Sequence, residues 1–132
     1  MNEKIEQLMA RHEAFKQKWL MLNNDDLFNW VMLQDEMISL SSNLKSEYNE
    51  NEINLKVEKG KRMIELKAQL DQNGQKVYTE STADGTLRAE FLEKDIQQNT
   101  LKTSYELLFQ KAQLITEYIN IIKLNNKALF TI

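Results

Sequence analysis

The sequence predicts an all-α protein, and three observations carry that expectation. Its 132 residues include no proline and only three glycines, Gly60, Gly74 and Gly85, so few positions can stop a helix. Leu, Lys, Glu, Gln and Asn are abundant, and the first four are good helix formers. Apolar residues recur at spacings of three and four along most of the chain, the period of one helix face rather than of a strand. The length is that of one domain able to bury a core. With 42% hydrophobic and 28% charged residues, global disorder is not expected.

A first helix is expected over residues 1–22. Ile5, Leu8, His12, Phe15, Trp19 and Leu22 follow a 3-4-3-4-3 spacing, the signature of one apolar face. Asn23, Asn24, Asp25 and Asp26 then supply turn and capping residues, with the acids placed to complement the next helix dipole.

The second helix is expected over residues 26–72, as the first arm of a hairpin. Trp30, Leu33, Met37, Leu40, Leu44 and Tyr48 form its stripe, which thins through "NENEIN" and resumes with Leu55, Met63, Leu66 and Leu70. Gly60 costs about 1 kcal/mol relative to alanine inside a helix, so the sequence leaves open whether the helix bends or breaks there. Residues 73–85 read as the loop at the hairpin tip, with Asn73-Gly74 as a turn pair and several cap residues in "TESTADG". A short β-hairpin around Asn73-Gly74 is the alternative, since "KVYT" has strand propensity.

The second arm is expected over residues 86–123 and has the most regular pattern. Leu87, Phe91, Lys94, Gln98, Leu101, Tyr105, Leu108, Ala112, Ile115, Ile119 and Ile122 step 4-3 without interruption, a heptad seam with polar residues at Lys94 and Gln98. Leu107, Leu114, Tyr118 and Ile121 widen it towards the C-terminus. "LNN" is expected to end the helix, leaving residues 125–132 as a short apolar tail. The architecture is a long antiparallel helical hairpin with shorter N- and C-terminal helices. A hairpin that long leaves apolar stripe uncovered, and assembly into a homo-oligomer is the natural remedy.

With no cysteine there are no disulfides and no thiolate ligands. "MNEKIEQLMARHE" lacks the apolar core of a signal peptide, and the runs "WLML" and "WVML" are too short to span a bilayer. The expectation is a soluble intracellular protein that does not use a membrane.

Nothing in the sequence assembles a catalytic constellation, a metal site or a cofactor cradle, so neither enzyme activity nor a cofactor is expected. The single histidine, His12, lies on an apolar helix face and reads as a packed residue. Asp25/Asp26 and Asp35/Glu36 are sequence neighbours, which a helix points to different faces.

Two features suggest binding instead. The chain carries a formal net charge of -3, yet Lys56, Lys59, Lys61, Arg62 and Lys67 gather against only Glu58 and Glu65. Offsets of three and eleven place Lys59 and Lys67 on roughly the side of Lys56, while Lys61 and Arg62 flare away. Such a strip can contact a phosphate backbone, and Tyr78 nearby could stack on a base. The alternative is a solvated face balanced by neighbouring acids. The second feature is the tail, whose Leu129, Phe130 and Ile132 can fold back on the hairpin or pack on another subunit.

The run "KRMIELKAQL", a glycine-containing loop, the helix through "TSYELLFQKAQLITEYINIIK" and then "NNKALF" resemble the UvsY recombination mediators of T-even-type phages. The likeness covers roughly residues 60–130 and rests on Leu66-Lys67-Ala68, Ile122-Lys123 and Ala128-Leu129. It implies a phage protein acting in the cytoplasm of an infected bacterium. Such a protein binds single-stranded DNA, loosens the single-strand-binding protein and loads a RecA-like recombinase. It also implies a ring-like homo-oligomer, of hexamer or heptamer size, built through the C-terminal helices, here through Ile115, Ile119, Ile122, Leu129 and Phe130. The basic position carries over to Lys67 and more loosely to Lys61 and Arg62, while Gln69 and the acidic chain depart from the family. The competing expectation is a non-enzymatic helical interaction protein of a phage, serving as scaffold, adaptor or host-directed inhibitor.

Overall fold

A computed structural model of the chain describes residues 3–17 and 24–130, with side chains for 3–17 and 27–124. The described residues are all-α, with helices α1 (Glu3–Gln17), α2 (Asn24–Ala68) and α3 (Glu80–Phe130). Trp19, Leu22 and Asn23 lie outside the described residues, as do the side chains of Leu129 and Phe130. No described helix is long and apolar enough to cross a membrane.

Four boundaries differ from the expectation, the smallest change being that α2 begins at Asn24 rather than at 26. α2 stops at Ala68 rather than near 72, so Leu70 falls in the loop, where it is exposed. α3 begins at Glu80, so residues 80–85, expected as loop, are helical. The cause is a reciprocal cap: the Thr82 amide donates to Thr79 Oγ1 at 3.2 Å, and the Thr79 amide donates to Thr82 Oγ1 at 2.8 Å. This is a capping box with threonine where glutamate is usual. α3 also continues through Leu124, Asn125 and Asn126 to Phe130 instead of ending at "LNN". Asparagine costs less than about 0.7 kcal/mol per position in a helix, and without proline or glycine nothing there stops it. Gly60 does not break α2 either.

The loop over residues 69–79 combines both expectations for this segment. Asp71 accepts the Gly74 amide on its carbonyl at 3.0 Å, while its Oδ1 accepts the amides of Asn73 and Gln75. Gly74 takes φ 78°, a conformation that glycine adopts without a Cβ penalty. An antiparallel bridge joins Leu70 to Lys76, so a minimal β-bridge closes the tip of a helical hairpin.

The chain divides into two compact units. The first combines α1 with α2 up to Leu44 and α3 from Thr103. Its core holds Ile5, Leu8, Trp30, Leu33, Met37, Leu108, Ala112, Ile115, Ile119 and Ile122. Rings pack edge to face around Trp30, with His12 at 5.5 Å and Phe15 at 5.3 Å, while Tyr118 lies tilted at 5.3 Å. Ser41 Oγ donates to the Tyr105 carbonyl and Gln34 Nε2 to Ala112 O and Thr116 Oγ1, which fixes the antiparallel register of α2 against α3 here.

The second unit, Lys45–Lys102, is the antiparallel hairpin of α2 and α3 with its loop. Leu55, Leu66, Ala83, Phe91 and Gln98 are buried along its inner faces. Gln98 Nε2 donates to the Tyr48 carbonyl and to Glu52 Oε1, both at 3.0 Å, which satisfies the amide nitrogen at that heptad position, while its buried Oε1 has no partner among the described residues.

Candidate functional site: the hairpin of the second unit

The basic cluster separates once the helices are formed. Leu55, Lys59, Arg62 and Leu66 continue a 4-3-4 seam on the inner face of α2, so Lys59 and Arg62 stand between the two helices. Lys59 Nζ meets Asp95 Oδ1 at 2.7 Å. Arg62 grips Glu90 with two parallel bonds, Nε and Nη2 each donating at 2.8 Å, and reaches Glu65 with Nη1 at 3.1 Å. This is the forked geometry that guanidinium and carboxylate share. The bonds from Glu90 and then Glu65 push the Arg62 pKa further up, and the Arg62 bonds hold the Glu90 carboxyl below its ordinary value. Both partners are solvated, so the pair sets register more than stability.

Lys67 lies 3.4 Å from Glu80, and Lys94 pairs with Glu58 at 2.9 Å. Lys59 and Lys94 also stand over the Phe91 ring, at 5.8 and 5.5 Å from its centroid, the geometry of a cation–π contact. A shallow groove of about 240 Å³ beside them is lined by Asn51, Asn54, Leu55, Glu58, Lys94, Gln97 and Gln98. Its ionised groups neutralise one another.

Of the six residues predicted for DNA contact, Lys59, Arg62 and Lys67 therefore hold intrachain carboxylates. Lys56 and Lys61 are exposed on α2 and make no ion pair among the described residues. Tyr78 is half-buried in the loop. The hairpin does not gather the six into one strip.

The residues expected to form a subunit interface are placed differently too. Ile115, Ile119 and Ile122 are at most 8% exposed. Their side chains are buried in the core of their own unit. A 4-3 seam cannot reveal whether its partner is the same chain or another, and α1 together with α2 covers this one.

A second pattern, absent from the sequence-based expectations, is shifted by two residues from the inner seams. On α2, Ile53, Val57, Gly60 and Ile64 step 4-3-4, and the three side chains are 67%, 52% and 71% exposed. On α3, Gly85, Ala89, Leu92 and Ile96 step 4-3-4, with Leu92 and Ile96 57% and 58% exposed. A shift of two residues is about 200° around a helix, so each stripe faces directly away from the hairpin interface. The signal was present in the spacing but overlapped the inner seam.

The chain matches no family model, no curated protein and no solved structure. Among the described residues, no three His, Asp or Glu side chains converge as a metal site.

Proposed function

We propose that this chain is a non-enzymatic helical interaction protein, a scaffold or adaptor that works through the outer faces of its hairpin. The observation that supports this most is the pair of outward apolar stripes, Ile53/Val57/Gly60/Ile64 and Gly85/Ala89/Leu92/Ile96, on opposite sides of one two-helix unit. Contiguous exposed apolar surface of this kind marks association sites. Meanwhile three of the five clustered cations of the hairpin are paired with its own carboxylates. The test is a chain carrying Ile64→Lys and Leu92→Lys, compared with the wild type by circular dichroism, light scattering and retention of protein partners. Unchanged helicity with lost association is the expected result. A variant that keeps every association of the wild type refutes the proposal.

A second reading is single-strand DNA binding with loading of a RecA-like recombinase, as the UvsY resemblance implies. It is favoured by Lys56 and Lys61, which no carboxylate neutralises among the described residues. Under this reading oligo-dT binds at low salt. Lys56→Ala and Lys61→Ala each then lower the salt slope by about one, whereas Arg62→Ala, already paired, changes little. Anisotropy that stays flat on titration at low salt removes this reading.

A further inference from the structure

We infer that the partner of these stripes is a second copy of this chain, the α2 stripe of one copy docking on the α3 stripe of the next. This rests on the reading of the hairpin as an interaction module and names its partner. Register supports this pairing. Within the hairpin, Glu58 is level with Lys94 and Arg62 with Glu90. Neighbouring copies lying side by side in the same orientation keep that level. Gly60 of one copy then faces Leu92 of the other, Ile64 faces Ala89, and Val57 lies against Ile96. A large residue meets a small one in two of those layers, which is how packed helices interdigitate.

Charge supports the same pairing. The α2 stripe is bordered by Lys56 and Lys61, and the α3 stripe by Glu93 and Asp95. Lys56, Lys61 and Glu93 make no ion pair within the described residues. In the side-by-side register Lys61 comes opposite Glu93 and Lys56 opposite Asp95. Arg88, also on the α3 border, falls beside Met63. Two α2 stripes facing each other would gather Lys56 and Lys61 of both copies at one contact, which disfavours a symmetric pairing of those stripes.

Two glycines lie at the contact as well. Gly60 and Gly85 sit inside helices, where each costs about 1 kcal/mol relative to alanine. A methyl group at either would meet nothing within 4 Å in its own chain, so no intrachain contact requires them. Both lie on the outward stripes. A close neighbour outside the chain supplies the missing reason, because glycine lets another helix approach. A contact between two different faces of identical chains repeats, and it produces a closed ring or an open row rather than a symmetric dimer.

The chain has no cysteine, so engineered cysteines read the contact directly. Val57 and Ile96 point away from each other on one hairpin, and a chain carrying Val57→Cys and Ile96→Cys cannot close on itself. With a short thiol crosslinker the double variant is expected to give a ladder of dimers, trimers and larger species on a denaturing gel, while each single variant gives no crosslinked species. Lys61→Glu and Glu93→Lys should each weaken assembly about tenfold, and the chain carrying both should recover it. A double cysteine variant that stays monomeric, or single variants that crosslink to dimers, overturns the inference. Should the wild type be monomeric by light scattering while Ile64→Lys still removes a different protein partner, self-docking falls and the interaction reading stands. Loss of neither means that both fall.

Discussion

Gly74 holds φ 78° at the end of the turn begun by Asp71, where any side chain is strained. Replacing it with alanine is expected to destabilise the protein by about 1 kcal/mol in urea titration. Gly60→Ala should do the reverse in dilute solution, stabilising by about 0.5–1 kcal/mol, because the helix gains and the new methyl meets nothing. His12 is the other residue with an individual consequence. It is 1% exposed, packed on Trp30 and Tyr118, and neither ring nitrogen has a hydrogen-bond partner among the described residues. Burial lowers its pKa below 6.5; Lys111 and Lys16 push the same way, and Glu13 opposes them. The unfolded chain then takes up the proton before the folded one does. Stability is therefore complete above about pH 6.5 and falls as the pH drops below it. His12→Phe should flatten this dependence when melting is followed from pH 7 to pH 5.

At the scale of the element, the start of α3 depends on two hydroxyls. Thr79→Ala removes the side-chain acceptor of the Thr82 amide, and a lost N-cap costs about 1 kcal/mol. Hydrogen exchange should show the damage first in residues 80–84, with the centre of α3 unaffected. α2 shows how a helix can serve two partners. One 4-3-4 series, Leu55, Lys59, Arg62 and Leu66, faces α3, and another, Ile53, Val57, Gly60 and Ile64, faces away. Aliphatic residues on both sides of a helix normally mean burial on both sides.

For the whole molecule, the consequence of the outward stripes is linkage to concentration. If copies associate through folded hairpins, the melting temperature of the wild type rises with protein concentration. Melts over a hundredfold concentration range should show that rise, and the Ile64→Lys, Leu92→Lys chain should show none. The same comparison distinguishes core from surface, since Ile115→Lys breaks the fold at every concentration. That residue is fully buried in its own unit.

What the sequence determined by itself was the helical class, the position of the hairpin loop and most of the core. These follow from local rules: absent proline, 4-3 spacing, and the Asn73-Gly74 pair. The early start of α3 was partly legible in "TEST", whose threonines cap one another. What only the tertiary structure decided was which partner each seam and each charge would meet. Arg62 and Lys59 read as free cations until Glu90 and Asp95, some 30 residues away in sequence, were folded against them. Ile115, Ile119 and Ile122 read as interface until α1 and α2 covered them. Ile53, Val57 and Ile64 became visible as a separate stripe only when the inner seam had taken its own residues. Periodicity is a property of one helix, whereas burial and neutralisation are properties of two.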